Sequence, residues 1–157
     1  MRPLRPGDPA PDFTVTAHDG RRVSLADFVG RQPLVVYFFP RCGTPVCTRQ
    51  ACTFRDAYQH FVEAGAAVIG VSGCSADRQR RFAAERRLPF LLVRDADGSL
   101  QQAFGVGKLL GIFPGRVTFV IDREGTIRHV SRSLFQAGRH VSEALAVVRE
   151  LVAAAAG

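Results

Sequence analysis

Three of the four cysteines stand at five-residue intervals in the stretch "PRCGTPVCTRQAC", from Pro40 to Cys52. This spacing matches neither the two-residue gap of a dithiol redox loop nor that of common zinc modules, so the residues around the cysteines must say which of them reacts. Thr44 is a good N-cap and Pro45 suits a first helical position, which puts Cys47 in the first turn of a helix. Free backbone N–H groups and the positive end of the helix dipole favour thiolate there, so Cys47 is expected to be a low-pKa nucleophile.

Positioning that sulfur requires a sheet and a helix. "LVVYFF" (34–39) is a continuous apolar run between Pro33 and Pro40, as in a central strand covered on both faces. "AAVIGVS" (66–72) and "FLLV" (90–93) repeat the pattern more weakly, with helical segments predicted at about 45–64 and 76–87. This order implies a parallel-leaning sheet with helices packed on it. Ala51, Phe54, Tyr58, Phe61 and Val62 recur at helical spacing and are expected to hold the first helix on the sheet, with Gly65 as its stop. The alternation on both sides of "HDG" predicts a β-hairpin over 13–28, and "RVTFVIDREGTIRHV" predicts a second hairpin turning at "DREG". Val141, Leu145, Val148 and Leu151 share one face of a C-terminal helix. Ligand sites in open α/β sheets form beyond the carboxyl ends of parallel strands. A strand antiparallel to 34–39 starts at that edge, and its opening residue is Arg116, whose guanidinium could stabilise a thiolate and bind an incoming oxygen.

With these residues in place the chain resembles a known family. "YFFPRCGTPVCTRQACTFRD" is similar to the P-x-x-x-T-x-x-C signature of the peroxiredoxins and, through "TP-x-CT-x-x-AC-x-FRD", to their bacterioferritin-comigratory-protein (PrxQ) branch. "GDPAPDF", "VIGVS" and "RVTFVID" match in the same order, so the resemblance covers nearly the whole chain. It implies an α/β, thioredoxin-like fold, a central mixed sheet flanked by helices, with an added N-terminal β-hairpin. It also implies a thiol-dependent peroxidase acting on hydrogen peroxide and organic hydroperoxides, recycled by thioredoxin or another dithiol reductant. In the implied site Pro40 shields the pocket, Thr44 hydrogen-bonds the peroxide, Cys47 is the peroxidatic cysteine and Arg116 polarises both substrate and thiolate. No metal or organic cofactor is required.

The resemblance gives Cys52 the resolving role. Five residues along an intact helix separate Cα atoms by about 8–9 Å, beyond the ~7 Å reach of a disulfide, so the first turns must unwind before Cys47 and Cys52 can join. Cys74, Cys42 or an external thiol remain alternatives, although for Cys42 and Cys74 the expectation is a small, incidental side chain. Gln50 either orients Arg116 or faces solvent. A thioredoxin-class oxidoreductase would need a C-x-x-C pair that the chain lacks; a metal site is disfavoured because regular five-residue spacing scatters ligands around a helix.

The 157 residues, 46% of them hydrophobic, fit one domain, 1–157. Four cysteines are too few for a disulfide scaffold and the first residues hold no apolar run suited to a signal peptide, so the expected location is cytoplasmic. No apolar run approaches the ~20 residues of a membrane span. The net charge of +7 comes almost wholly from arginine, Lys108 being the exception. These arginines are scattered and interleaved with acids, without aromatic platforms, which argues against nucleic-acid binding. A monomer is expected.

Overall fold

The computed structural model of the chain describes residues 4–39, 42, 45–106, 108–109, 113–114, 116–132 and 137–156. Two short strands, β1 (Thr14–Thr16) and β2 (Arg22–Ser24), pair antiparallel as the alternation around "HDG" predicts. Gly20, with φ of 90°, takes the left-handed conformation that this turn requires. The main sheet is built from β3 (Leu34–Phe38), β4 (Ala67–Ser72), β5 (Leu91–Arg94), β8 (Val117–Ile121) and β9 (Ile127–Ser131), in the order β5-β4-β3-β8-β9. Strands β3, β4 and β5 run parallel, whereas β8 is antiparallel to both β3 and β9. The sheet is therefore mixed. Between β5 and β8 lie β6 (Lys108–Leu109) and β7 (Phe113–Pro114), a minimal antiparallel pair.

Helices α1 (Pro45–Glu63), α2 (Ala76–Arg86), α3 (Ser99–Ala103) and α4 (Ala137–Ala156) complete the chain. Every residue of β3 is buried, and alternate residues face opposite ways. Val35, Tyr37 and Phe39 enter a core with Phe54 and Phe61 of α1, Phe82 of α2 and Val148 of α4. Leu34, Val36 and Phe38 enter a second core with Phe13, Val23 and Leu25 of the N-terminal segment and with Leu100 and Phe104 around α3. Three helices thus cover one face; the hairpin and α3 cover the other. A continuous apolar strand is what a doubly covered position demands, because both faces lose water.

Polar contacts fix these layers. The His18 N–H donates to Leu92 O at 2.7 Å and the Leu92 N–H to His18 Nδ1 at 3.1 Å, docking the hairpin turn on β5. Thr118 and His140, both fully buried, share a 2.7 Å hydrogen bond that joins β8 to α4. The predicted face of α1 holds for Ala51, Phe54 and Phe61, with Tyr58 partly buried, but Val62 is 45% exposed. At about 100° per residue Val62 rotates past the contact made by Phe61. Helix α3 was not expected; Asp95 holds it by accepting from the Leu100 and Gln101 N–H groups at 2.9 Å each.

Candidate active site

Cys47 is the third residue of α1, on the inward face that Gln50, Ala51 and Phe54 continue. The register of β3 and β8 pairs Phe38 with Val117, so the residue before Val117 reaches the edge where α1 begins. That residue is Arg116, and it is buried. Its Nη2 donates to Cys47 Sγ at 3.0 Å, and its Nη1 donates to Gln50 Oε1. One guanidinium therefore bridges two residues three apart on the same helix face. A planar fork suits this, since one N–H meets the sulfur while another is anchored.

The Gln50 amide carbonyl orients Arg116, and its Nε2 has no hydrogen-bond partner among the described residues. Beneath α1 the Tyr37 ring stacks on Phe54 with centroids 4.5 Å apart and on Phe39 at 5.3 Å. Burial pushes the Tyr37 hydroxyl well above its ordinary value and the nearby Cys47 adds to this, while Arg116 opposes it, so Tyr37 stays neutral. The ring lies over Gly70 of β4, where a Cβ would sit 2.8 Å from Tyr37 Cζ. Glycine leaves the room for that ring, and the ring supports the helix that carries the thiol.

The structure thus brings Cys47 and Arg116 together. Pro40 and Thr44 lie outside the described residues. Cys52 is partly buried and free, on the same helix five residues on. Cys42 and Cys74 are bonded to each other, with Cα atoms 6.3 Å apart, which corrects the expectation that both are incidental. They follow the carboxyl ends of β3 and β4, and strand adjacency brings them within reach. The pairing also takes two of four thiols from any cluster of metal ligands. Gln50 and Tyr37 complete the surroundings: the first was an open alternative in the sequence, and the second was hidden in an apolar run, where its alternation with Val35 and Phe39 was the signal.

Residues 6–130 match the AhpC/TSA family. The chain is a peroxiredoxin. It is 44% identical over 146 residues to the chloroplastic peroxiredoxin Q of Oryza sativa subsp. japonica, covering 92% of this chain and 67% of that one. To the chloroplastic peroxiredoxin Q of Sedum lineare it is 42% identical, covering 92% and 78%. Among solved structures it is similar to peroxidoxin BcpB from Mycobacterium tuberculosis, with a TM-score of 0.87 at 35% identity over 94% of this chain and 98% of that one. It is also similar to the Xanthomonas campestris bacterioferritin comigratory protein, studied for alkyl peroxide reduction, with a TM-score of 0.80 at 28% identity over 89% and 92%. This peroxiredoxin belongs to the PrxQ branch of the thioredoxin-like superfamily and is a thiol-dependent peroxidase, with a hydroperoxide as substrate and a thioredoxin-type reductant. The cytoplasmic expectation is withdrawn. Its similar plant relatives are named chloroplastic.

Proposed function

We propose that Cys47 is the peroxidatic residue and that the chemistry runs at the amino end of α1. The observation that carries this is the buried Arg116 guanidinium 3.0 Å from Cys47 Sγ. The thiolate attacks one oxygen of the hydroperoxide, forming an S–O bond as the O–O bond breaks. The electron pair leaves on the distal oxygen, which takes a proton and departs as water or an alcohol. Arg116 donates to the sulfur and to the oxygen on which charge develops, the kind of fixed donor that contributes most to such a step. Gln50 is a positioning residue, acting through Arg116. Pro40 and Thr44 take the shielding and peroxide-binding roles that their places in the family motif imply.

Cys52 resolves the sulfenic acid: its thiolate attacks the Cys47 sulfur, hydroxide leaves and takes a proton to become water, and an intramolecular disulfide forms. Helix geometry requires α1 to unwind at its start for this step. A thioredoxin-type dithiol then restores both thiols by exchange. In this reading the chain works as a monomeric domain over residues 1–157, on hydrogen peroxide and organic hydroperoxides, without nucleic acid or membrane as partner. The packing of α4 against β8 through Thr118 and His140 supports one unit.

A second reading keeps Cys47 as the peroxide-reacting residue and gives the resolving step to Cys74 or Cys42, whose mutual bond is the closed one. One experiment separates the two: a single equivalent of hydrogen peroxide is added to fully reduced protein, followed by a non-reducing peptide map. A Cys47–Cys52 disulfide is expected, Cys47 joined to Cys74 or Cys42 would replace the resolver, and an unreactive Cys47 would refute the site.

A further inference from the structure

The Cys42–Cys74 bond stands outside the steps above, yet its surroundings favour exchange over bracing alone. It links residues 32 apart across the carboxyl ends of the neighbouring parallel strands β3 and β4. Cys74 immediately precedes Ser75, the N-cap of the 11-residue α2, whose hydroxyl accepts from the Arg78 N–H at 3.2 Å. The Cys42 N–H points at Cys74 Sγ from 2.9 Å. A sulfur that acquires negative charge here meets a helix amino end and a backbone donor together, so Cys74 is the better leaving group.

Cys42 is the half of the pair that borders a surface hollow. It lines a hollow of about 160 Å³ with Arg78, Arg81, Phe82 and Glu85 of α2, and Arg78 and Arg81 are exposed cations that would attract an incoming thiolate. On its inner side Cys42 Sγ lies 3.8 Å from Ser72 Oγ. Ser72 accepts from Gln79 Nε2 at 3.0 Å, and a disulfide sulfur carries no proton, so the Ser72 hydroxyl donates to Cys42. Cys42 also lies three residues before α1 begins and five before Cys47. A covalent anchor there opposes the unwinding that a Cys47–Cys52 bond requires.

We propose that Cys42–Cys74 is a second redox site, opened by a dithiol reductant that attacks Cys42, and that while closed it restrains the start of α1 and slows resolution by Cys52. The regulatory half rests on the peroxidase reading given above. The reductant's thiolate bonds to Cys42 Sγ as the Cys42–Cys74 bond breaks, and the electron pair leaves on Cys74 Sγ. The reductant's second thiol, as thiolate, then attacks the reductant's first sulfur in the mixed disulfide, forming the reductant's disulfide as the bond to Cys42 breaks and Cys42 leaves as thiolate. Cys42 and Cys74 take up the protons that the two reductant thiols lose. Two electrons thus pass from the dithiol, which becomes a disulfide, to the Cys42–Cys74 pair. Closure is the reverse exchange with an oxidised dithiol protein.

Three preparations test this: wild type with Cys42–Cys74 closed and Cys47 and Cys52 reduced, wild type fully reduced, and Cys74→Ser. Each receives one equivalent of hydrogen peroxide, is quenched by alkylation at intervals and is mapped. The two open forms are expected to make the Cys47–Cys52 bond about tenfold faster than the closed form, in which Cys47 sulfenic acid accumulates. The open and closed wild-type samples share one sequence, so the comparison stands even where Cys74→Ser folds poorly. A thioredoxin-type reductant lacking its second cysteine is expected to be trapped on Cys42. Equal rates in closed and open wild type, trapping on Cys74, or a Cys42–Cys74 bond that withstands a dithiol able to reduce Cys47–Cys52 would each overturn the proposal and leave the peroxidase reading intact. A Cys47 inert to peroxide in all three preparations would instead sink the peroxidase reading and the restraint with it.

Discussion

Replacing Arg116 by methionine keeps a long, buried side chain and removes the charge beside Cys47. Two losses follow from the geometry. The 3.0 Å bond to Cys47 Sγ disappears, and a bond to a charged group contributes about 1.5–3 kcal/mol, equivalent to roughly 10- to 150-fold in rate. The donor proposed above for the departing oxygen disappears too, and one such donor alone is commonly worth ~10²–10³ in rate. Because both act through one guanidinium they are not additive, and the expected loss in the second-order rate constant for peroxide is about 10²–10³. Arg116→Lys retains the charge but cannot meet the sulfur and Gln50 Oε1 together, so its loss should be nearer tenfold. Gln50→Leu leaves the guanidinium but frees one end of it; a loss of about threefold to tenfold is expected, with recovery in Gln50→Glu. The assay is single-turnover oxidation of reduced protein, measured by competition for hydrogen peroxide against a peroxidase of known rate. Denaturation midpoints would verify that the variants remain folded. A folded Arg116→Met that oxidises within about threefold of the parent would refute the assignment of Arg116.

Cys52→Ser should still consume one equivalent of peroxide at Cys47 but form no Cys47–Cys52 bond; turnover with a dithiol reductant should fall at least about tenfold, and excess peroxide should carry Cys47 to sulfinic acid, read by mass spectrometry. Tyr37→Phe removes a buried hydroxyl that has no partner among the described residues, so urea unfolding should show a change between zero and about 1 kcal/mol of added stability. Burial pushes the Asp122 carboxyl up, but donors from the Thr126 N–H, Arg128 and the Glu124 N–H outweigh it and hold it below the ordinary value. Its stabilisation is therefore present above the unfolded-state value of about 3.9 and is lost as pH falls through the lower folded value, so the stability gap between wild type and Asp122→Asn should close on acidification.

The main sheet was legible because its central strands must be apolar throughout. Leu34–Phe38 and Ala67–Ser72 have no polar face to confuse with a surface strand, and the tight turn at Asp122–Gly125 announced the reversal into β9. Arg116 was legible for the same reason, since a strand antiparallel to β3 can begin only at the edge where Cys47 lies. Helix α3 was not, because its five residues are held by the carboxylate of Asp95 rather than by a long apolar face. The Cys42–Cys74 bond was missed because it depends on which strand lies beside β3. The spacing of three cysteines in one stretch drew attention to near neighbours, whereas the partner of Cys42 stands 32 residues away. Gln50 could be placed only once Arg116 had a position in space.

Cys47 and the guanidinium that touches it are 69 residues apart, and they meet only when β8 pairs with β3, with β4, α2, β5, α3, β6 and β7 lying between the two residues along the chain. Such a distant pairing must overcome loop-closure entropy before its contacts help, so this contact is expected to form late in folding. A chain still emerging during synthesis, or one that has lost the β3–β8 ladder, carries the same cysteine without the guanidinium beside it. With Arg116 in its proposed role, the thiol of such a chain is expected to react with peroxide at the pace of an ordinary cysteine and to gain its reactivity in the folding step that completes the sheet.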